Sequence, residues 1–279
     1  MSGIDSNSGG SGIALLNLGF RPFFAGAAIF ALAAMSIWMA LTVFGWQWSY
    51  AGPAPVVWHA HEMIYGYGMA VVAGFLLTAA KNWTGVQTLQ RMPLLLLFLL
   101  WLAGRVLVFL GEAIPLAVTA LVDCLFAAWL VIAVSLPIVK VRQWKQTGIL
   151  SKLVLLFASN LLFYAGALGL VSGGVRAGLY SGVYLLIALI FVMGRRVMPF
   201  FIEKGVGYEV QLKNRQWLDL SSLVVFLVFW LADIIDPDSF PVALSAGALF
   251  ILHGIRLAGW HTPGIWRKPL LWVLFIGYG

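Results

Sequence analysis

The chain has 279 residues, 62% of them hydrophobic and 10% charged, with a net charge of +7 and a mean hydropathy of +0.97. Soluble domains carry about a quarter charged residues, so this balance excludes a soluble globular domain and points to an integral membrane protein. The single cysteine, Cys124, excludes a disulfide framework and a thiolate metal cluster, and the basic surplus is accounted for by membrane topology and anionic headgroups, without nucleic acid.

The first twenty residues, MSGIDSNSGGSGIALLNLGF, are Ser/Gly-rich and lack the basic start of a signal peptide. They are expected to form a flexible cytoplasmic tail over 1–20, followed by a single membrane domain over 21–279. A helix needs about 20 mostly apolar residues to cross roughly 30 Å of hydrocarbon. Eight segments qualify: 23–45, 62–80, 93–111, 115–138, 153–172, 177–194, 217–235 and 240–258. No alternation of the kind a membrane barrel needs is present, so the expected fold is all-α, a polytopic helix bundle. A ninth apolar stretch, Pro269 to Gly279, is too short to cross. It reads as a partial span, and the chain as a piece of a longer protein.

Charge orients the bundle. The connections after spans 2, 4, 6 and 8 carry nearly all the lysines and arginines, from Lys81 and Arg91 through Lys140, Arg195 and Lys213 to Arg267 and Lys268. Those after spans 1, 3, 5 and 7 carry Arg176 alone, and the last holds Asp233, Asp236 and Asp238. By the positive-inside rule the even connections and the N-terminus are cytoplasmic. Trp46, Trp48, Tyr50 and Trp58 then form an outer aromatic belt, and Pro53 and Pro55 keep the first outer loop extended. Small residues recur at Gly66, Ala70 and Gly74 on span 2, and at Ala165, Gly169 and Gly173 on span 5, giving faces for close helix approach. Gly85 breaks span 2 after Trp83, and Pro199 is expected to end span 6.

Two of the four histidines fall in VWHAHEMIYGYG, at the outer mouth of span 2. If residues 57–61 are extended, His59 and His61 share a face and can meet one metal ion. If they are helical, the two rings point about 200° apart, and His59 shares a face with Glu62 instead. Neutral imidazole suits copper, zinc and haem iron; the plain alternative is a polar lip at the headgroups. His253 lies on span 8 roughly 20 Å below the outer surface, too deep to share a metal with His59 or His61. His261 falls in the loop that follows.

Arg105 and Asp123 sit at matching depths of roughly 9 and 12 Å on the consecutive spans 3 and 4. A lone charge there costs at least about 2.5–3.5 kcal/mol, so the two should pair or line one polar cavity. The pair reads either as a structural ion bridge or as an arginine that holds an anionic ligand, such as a haem propionate, with Asp123 as counter-ion. No Walker loop, GxSxG, HExxH or CxxCH motif is present, so any haem would be held non-covalently.

The stretches GFRPFF (19–24), WHAHEM (58–63), AGFLLTAAKNWTG (73–85), WLAGR (101–105), MGRRVMPFF (193–201) and RLAGWHT (256–262), followed by KPLLWVLFIGYG, together resemble the NnrS family, over essentially the whole chain and in order. That resemblance implies a bacterial inner-membrane protein with haem and copper, linked to nitric oxide metabolism and nitrosative stress, with nitric oxide as a ligand, a substrate or a cue. It also implies further C-terminal spans carrying more histidines. Residue by residue it implicates His59 and His61, and more weakly Glu62, Arg105 and His253, as cofactor or metal residues. Composition and spans alone fit two other classes as well: a transporter or channel with buried charges, and a non-catalytic assembly or sensor subunit of a respiratory complex.

Overall fold

The computed structural model describes residues 14–47 and 54–279. Residues 1–13 of the expected tail, and Trp48, Tyr50 and Pro53 of the expected outer loop, lie outside them. Ala14–Asn17 form a 3₁₀ turn with Leu16 buried, and Arg21 donates from Nη1 to the Ala14 carbonyl.

Among the described residues, eight helical stretches are long and apolar enough to cross a membrane, and the fold they form is all-helical as expected. The first is α1, Phe20–Thr42. The second runs over Pro55–Thr84 and has three parts: α2 (Pro55–His61), a π-helical stretch (Glu62–Gly68) and α3 (Met69–Thr84). Then follow α4 (Arg91–Leu107), α5 (Leu116–Lys140), α6 (Thr147–Ala167), α7 (Gly174–Gly205), α8 (Gln216–Ile235) and α9 (Phe240–Trp260). The short apolar stretch near the C-terminus is α10, Pro269–Tyr278. Contacts divide the chain into two compact units, one running to Gly182 and the other Val183–Gly279.

In the first unit α3 packs between α1 and α5, and α4 and α6 flank α5. The second span is its most buried, as the small residues at 66, 70 and 74 anticipate. A Cβ on Gly74 would lie 2.8 Å from the Phe24 ring, so α1 closes on α3 only because that side chain is missing. Gly85 ends α3 in the left-handed conformation (φ +68), its N–H returning to the Lys81 carbonyl, a turn that a side chain would strain. On span 5 the close contact is made elsewhere than at the residues picked from the sequence. Gly169 and Gly173 fall in the turn after α6, while Gly166 meets Gly174 at the helix crossing.

The second unit packs α8 against α9, with a core of Met198, Ile202, Val206, Trp260, Ile265 and Leu271. Large apolar side chains such as Phe250 and Ile235 stay more than four-fifths exposed, which suits helices that face hydrocarbon rather than water. Two expectations about proline fail. Pro55 starts α2 instead of extending the loop, since its fixed φ suits the first helical turn. Pro199 does not end α7, which runs on to Gly205 because Met198 and Ile202, on either side of it, are buried in the unit's core; tertiary packing there outweighs the lost backbone bond.

Candidate functional site

The first unit buries a charged cluster deep among its helices. It starts from the π-helical stretch at Glu62–Gly68, where each turn takes an extra residue and the side-chain register rotates. The Trp101 indole donates to the Gly66 carbonyl (3.0 Å), and the Tyr65 hydroxyl donates to the Gly178 carbonyl (2.6 Å), which pin the stretch in place.

Arg105, near the end of α4, is the centre of the cluster and is 2% exposed. Its Nη1 donates to Glu62 Oε2 (2.5 Å), and its Nη2 donates to Asp123 Oδ1 on α5. A Cβ on Gly66 would stand 2.8 Å from Arg105 Nη1, so glycine makes room for the guanidinium. Asp123 Oδ2 accepts from Asn160 Nδ2 (2.9 Å) and from the Tyr164 hydroxyl (3.2 Å), both on α6. His61 closes the ring. Its Nδ1 lies 3.2 Å from Glu62 Oε1 and its Nε2 lies 3.0 Å from Asn160 Oδ1, with the ring stacked on Phe163.

The direction of these bonds fixes a proton. Asn160 gives its amide hydrogens to Asp123, so its Oδ1 can only accept, and His61 Nε2 must carry a hydrogen. Nδ1 then faces a carboxylate oxygen, and the contact is favourable only with a proton between His61 and Glu62. One arginine, two carboxylates and that proton sum to zero charge. Neutrality and nearly complete pairing are what a buried ionic group needs to offset a desolvation cost of several kcal/mol per ion.

The residues singled out from the sequence separate into three places. His61, Glu62 and Arg105 meet in the cluster, with Asp123 pairing Arg105 as the matched depths predicted. His59 does not join them. Residues 55–61 are helical, and the His59 ring stacks on Trp38 of α1 at 4.5 Å, with a buried Nδ1 that has no hydrogen-bond partner. The arrangement that needs an extended chain, with both imidazoles on one ion, is therefore not the one adopted. Each Arg105 Nη donates to a carboxylate of the protein, while its Nε is buried without a partner. Asn160 and Tyr164 were not anticipated. The signal available was two polar residues four apart within the apolar run of α6, hence on one face.

His253 lies in the second unit, stacked on Phe191 at 4.0 Å. Its Nδ1 is 3.0 Å from the Tyr278 hydroxyl, and its Nε2 is buried without a partner. Arg256 holds Tyr278 by donating from Nη1 to the hydroxyl (3.1 Å), and its Nη2 donates to Asp219 (3.0 Å) and to the Leu218 carbonyl. Asp219 also accepts from Arg195. His261, by contrast, is exposed and accepts from the Trp266 indole at 3.1 Å.

Among the described residues, no three His, Cys, Asp or Glu groups converge as a metal site. No curated protein and no solved structure matches the chain. The family model of the NnrS protein does match, over residues 14–279. With eight membrane-length helices and a match over nearly its whole length, the chain belongs to the NnrS family.

Proposed function

We propose that this chain is a multi-pass haem protein of the bacterial cytoplasmic membrane, with a cytoplasmic N-terminus, that serves the response to nitric oxide and nitrosative stress. Membership of the NnrS family supports a link to the nitric oxide response, and haem and copper are what the resemblance to that family implies. The structural observation that carries the reading is His253, a half-buried imidazole whose buried Nε2 has no partner and whose Nδ1 is held by Tyr278. With Nδ1–H donating to Tyr278, whose oxygen also accepts from Arg256, the Nε2 lone pair is left for a metal. A second hydrogen-bonded nitrogen is the usual way a ligating histidine is oriented.

The donor chemistry favours haem at this position. A porphyrin brings four nitrogens of its own and asks the protein for one or two, whereas copper takes its ligands from the protein. An isolated imidazole such as His253, or His59 with its unpartnered Nδ1, fits the first demand. The described residues assemble no set for copper, so none is assigned to it. His61 fits neither, since both its nitrogens are engaged. Bound haem iron supplies a centre that nitric oxide binds; His253 would hold it, Tyr278 and Arg256 would orient His253, and Phe191 would keep water from the imidazole face.

The test is the visible spectrum and metal content of the purified protein. Wild type is expected to carry haem, His253→Ala to lose it, and Tyr278→Phe to bind it about tenfold or more weakly. A colourless, metal-free wild type overturns the haem reading. An unchanged spectrum in His253→Ala keeps haem and moves its ligand, with His59→Ala the next variant to measure.

A further inference from the structure

The hairpin of α8 and α9 has two chemically distinct ends. The turn between the helices carries Asp236 and Asp238, while the opposite end carries Lys213, Arg215 and Arg256, with Asp219 paired to Arg256 and to Arg195 of α7. At that basic end lies a cavity of about 240 Å³, lined by Lys213, Arg215, Leu218, Ile255, Ala258 and Gly259. The Lys213 N–H donates to the Gly259 carbonyl (3.2 Å), which ties the loop before α8 onto the end of α9 and forms the cavity wall.

The charged side chains that line the cavity are all basic. No carboxylate lines it, and the nearest one on α8, Asp219, is already shared between Arg195 and Arg256. The side chains of Lys213 and Arg215 have no ion pair or hydrogen bond among the described residues, and both are exposed. The first turn of α8 starts here with no side-chain cap, so its amide N–H groups add to the positive potential. The rest of the lining, Leu218, Ile255 and Ala258, is apolar and continues onto the exposed apolar surface of the hairpin. A pocket with two unpaired cations at a helix end and an apolar wall below them matches an amphiphilic anion. A free anion would use only the upper half of it.

We propose that this cavity binds the phosphate headgroup of an anionic phospholipid, with Lys213 and Arg215 on the phosphate and the glycerol and upper acyl chain against Leu218, Ile255 and Ala258. Basic pockets at the cytoplasmic ends of membrane helices are suited to such headgroups, and the site is independent of any haem.

Native mass spectrometry of the detergent-solubilised protein tests it, with phosphatidylglycerol, phosphatidylcholine and inorganic phosphate as separate additions. Wild type should retain one phosphatidylglycerol, little phosphatidylcholine, and should not release the lipid to millimolar phosphate. Removing the charges in Lys213→Ala/Arg215→Ala should weaken retention about fivefold per charge, while Lys213→Arg/Arg215→Lys should restore most of it. Ala258→Phe, which fills the exposed mouth and keeps both cations, should also lose the lipid. Equal retention of the two lipids, or no loss in both Ala258→Phe and the double alanine variant, overturns the proposal. Displacement by phosphate alone would overturn the lipid as occupant and make the site one for a free anion. If the double alanine variant does not fold, the charge-retaining pair and Ala258→Phe still decide.

Discussion

Arg105→Met will cost about 3–5 kcal/mol, enough to remove most of the folded protein from a detergent extract. The loss is larger than one hydrogen bond because the guanidinium is the only permanent cation among two buried carboxylates, Glu62 and Asp123, each 1% exposed. Without it the cluster holds a net negative charge in a medium that cannot solvate it. The companion variant separates charge from packing. Arg105→Met with Glu62→Gln and Asp123→Asn removes all three charges, and should recover much of the lost stability, since well-packed neutral groups often do as well as a buried ion pair. Thermal unfolding of the purified variants is the measurement. A single variant that melts with wild type would show that the cluster is hydrated or open.

A simple exchange of charges, Arg105→Asp with Asp123→Arg, is a weaker rescue than the matched depths on two neighbouring helices suggest. Glu62 also rests on position 105, so the exchange brings two carboxylates together at that point. The pair belongs to a group of four, Arg105, Asp123, Glu62 and His61.

The reason only part of this was legible is local. Helix number and approximate bounds follow from hydropathy, because in a bilayer every backbone group must be paired within the segment. Arg105 and Asp123 are conspicuous because charge is rare in such segments. Glu62 and His61 could not be placed, since their direction depends on where α2 gives way to the π-helical stretch, and hydropathy carries no signal for that change. Glu62 stays near enough to His59 for its charge to act on that ring, but its oxygens bond His61 and Arg105, while His59 stacks on Trp38. Asn160 and Tyr164 carry no formal charge and so drew no attention in an apolar run, though each holds Asp123 as directly as the arginine does. Tyr278 was equally silent, in a stretch too short to cross.

Gly166→Leu will disrupt the same cluster without touching any of its polar atoms. A Cβ at Gly166 would stand 2.2 Å from the Val175 backbone nitrogen and 2.6 Å from the Gly174 carbonyl carbon. Both obstacles are main chain, so no rotamer relieves the overlap and α6 must move away from the start of α7. Overpacking costs about 1–3 kcal/mol where side chains can yield, and about 3 kcal/mol or more is expected where they cannot. Asn160 and Tyr164 sit on α6 a short way before the crossing, so displacing the helix draws them off Asp123 and His61. The two perturbations therefore act through one structure. Gly166→Leu combined with Arg105→Met should cost less than the sum of the separate losses, by more than about 0.5 kcal/mol. Gly148→Ala is the matched control, on the same helix, where an added Cβ meets nothing within 4 Å; it should be neutral or mildly stabilising because alanine favours helix. Strict additivity in the double variant would show that α6 can leave α7 while Asn160 and Tyr164 keep their hold on Asp123.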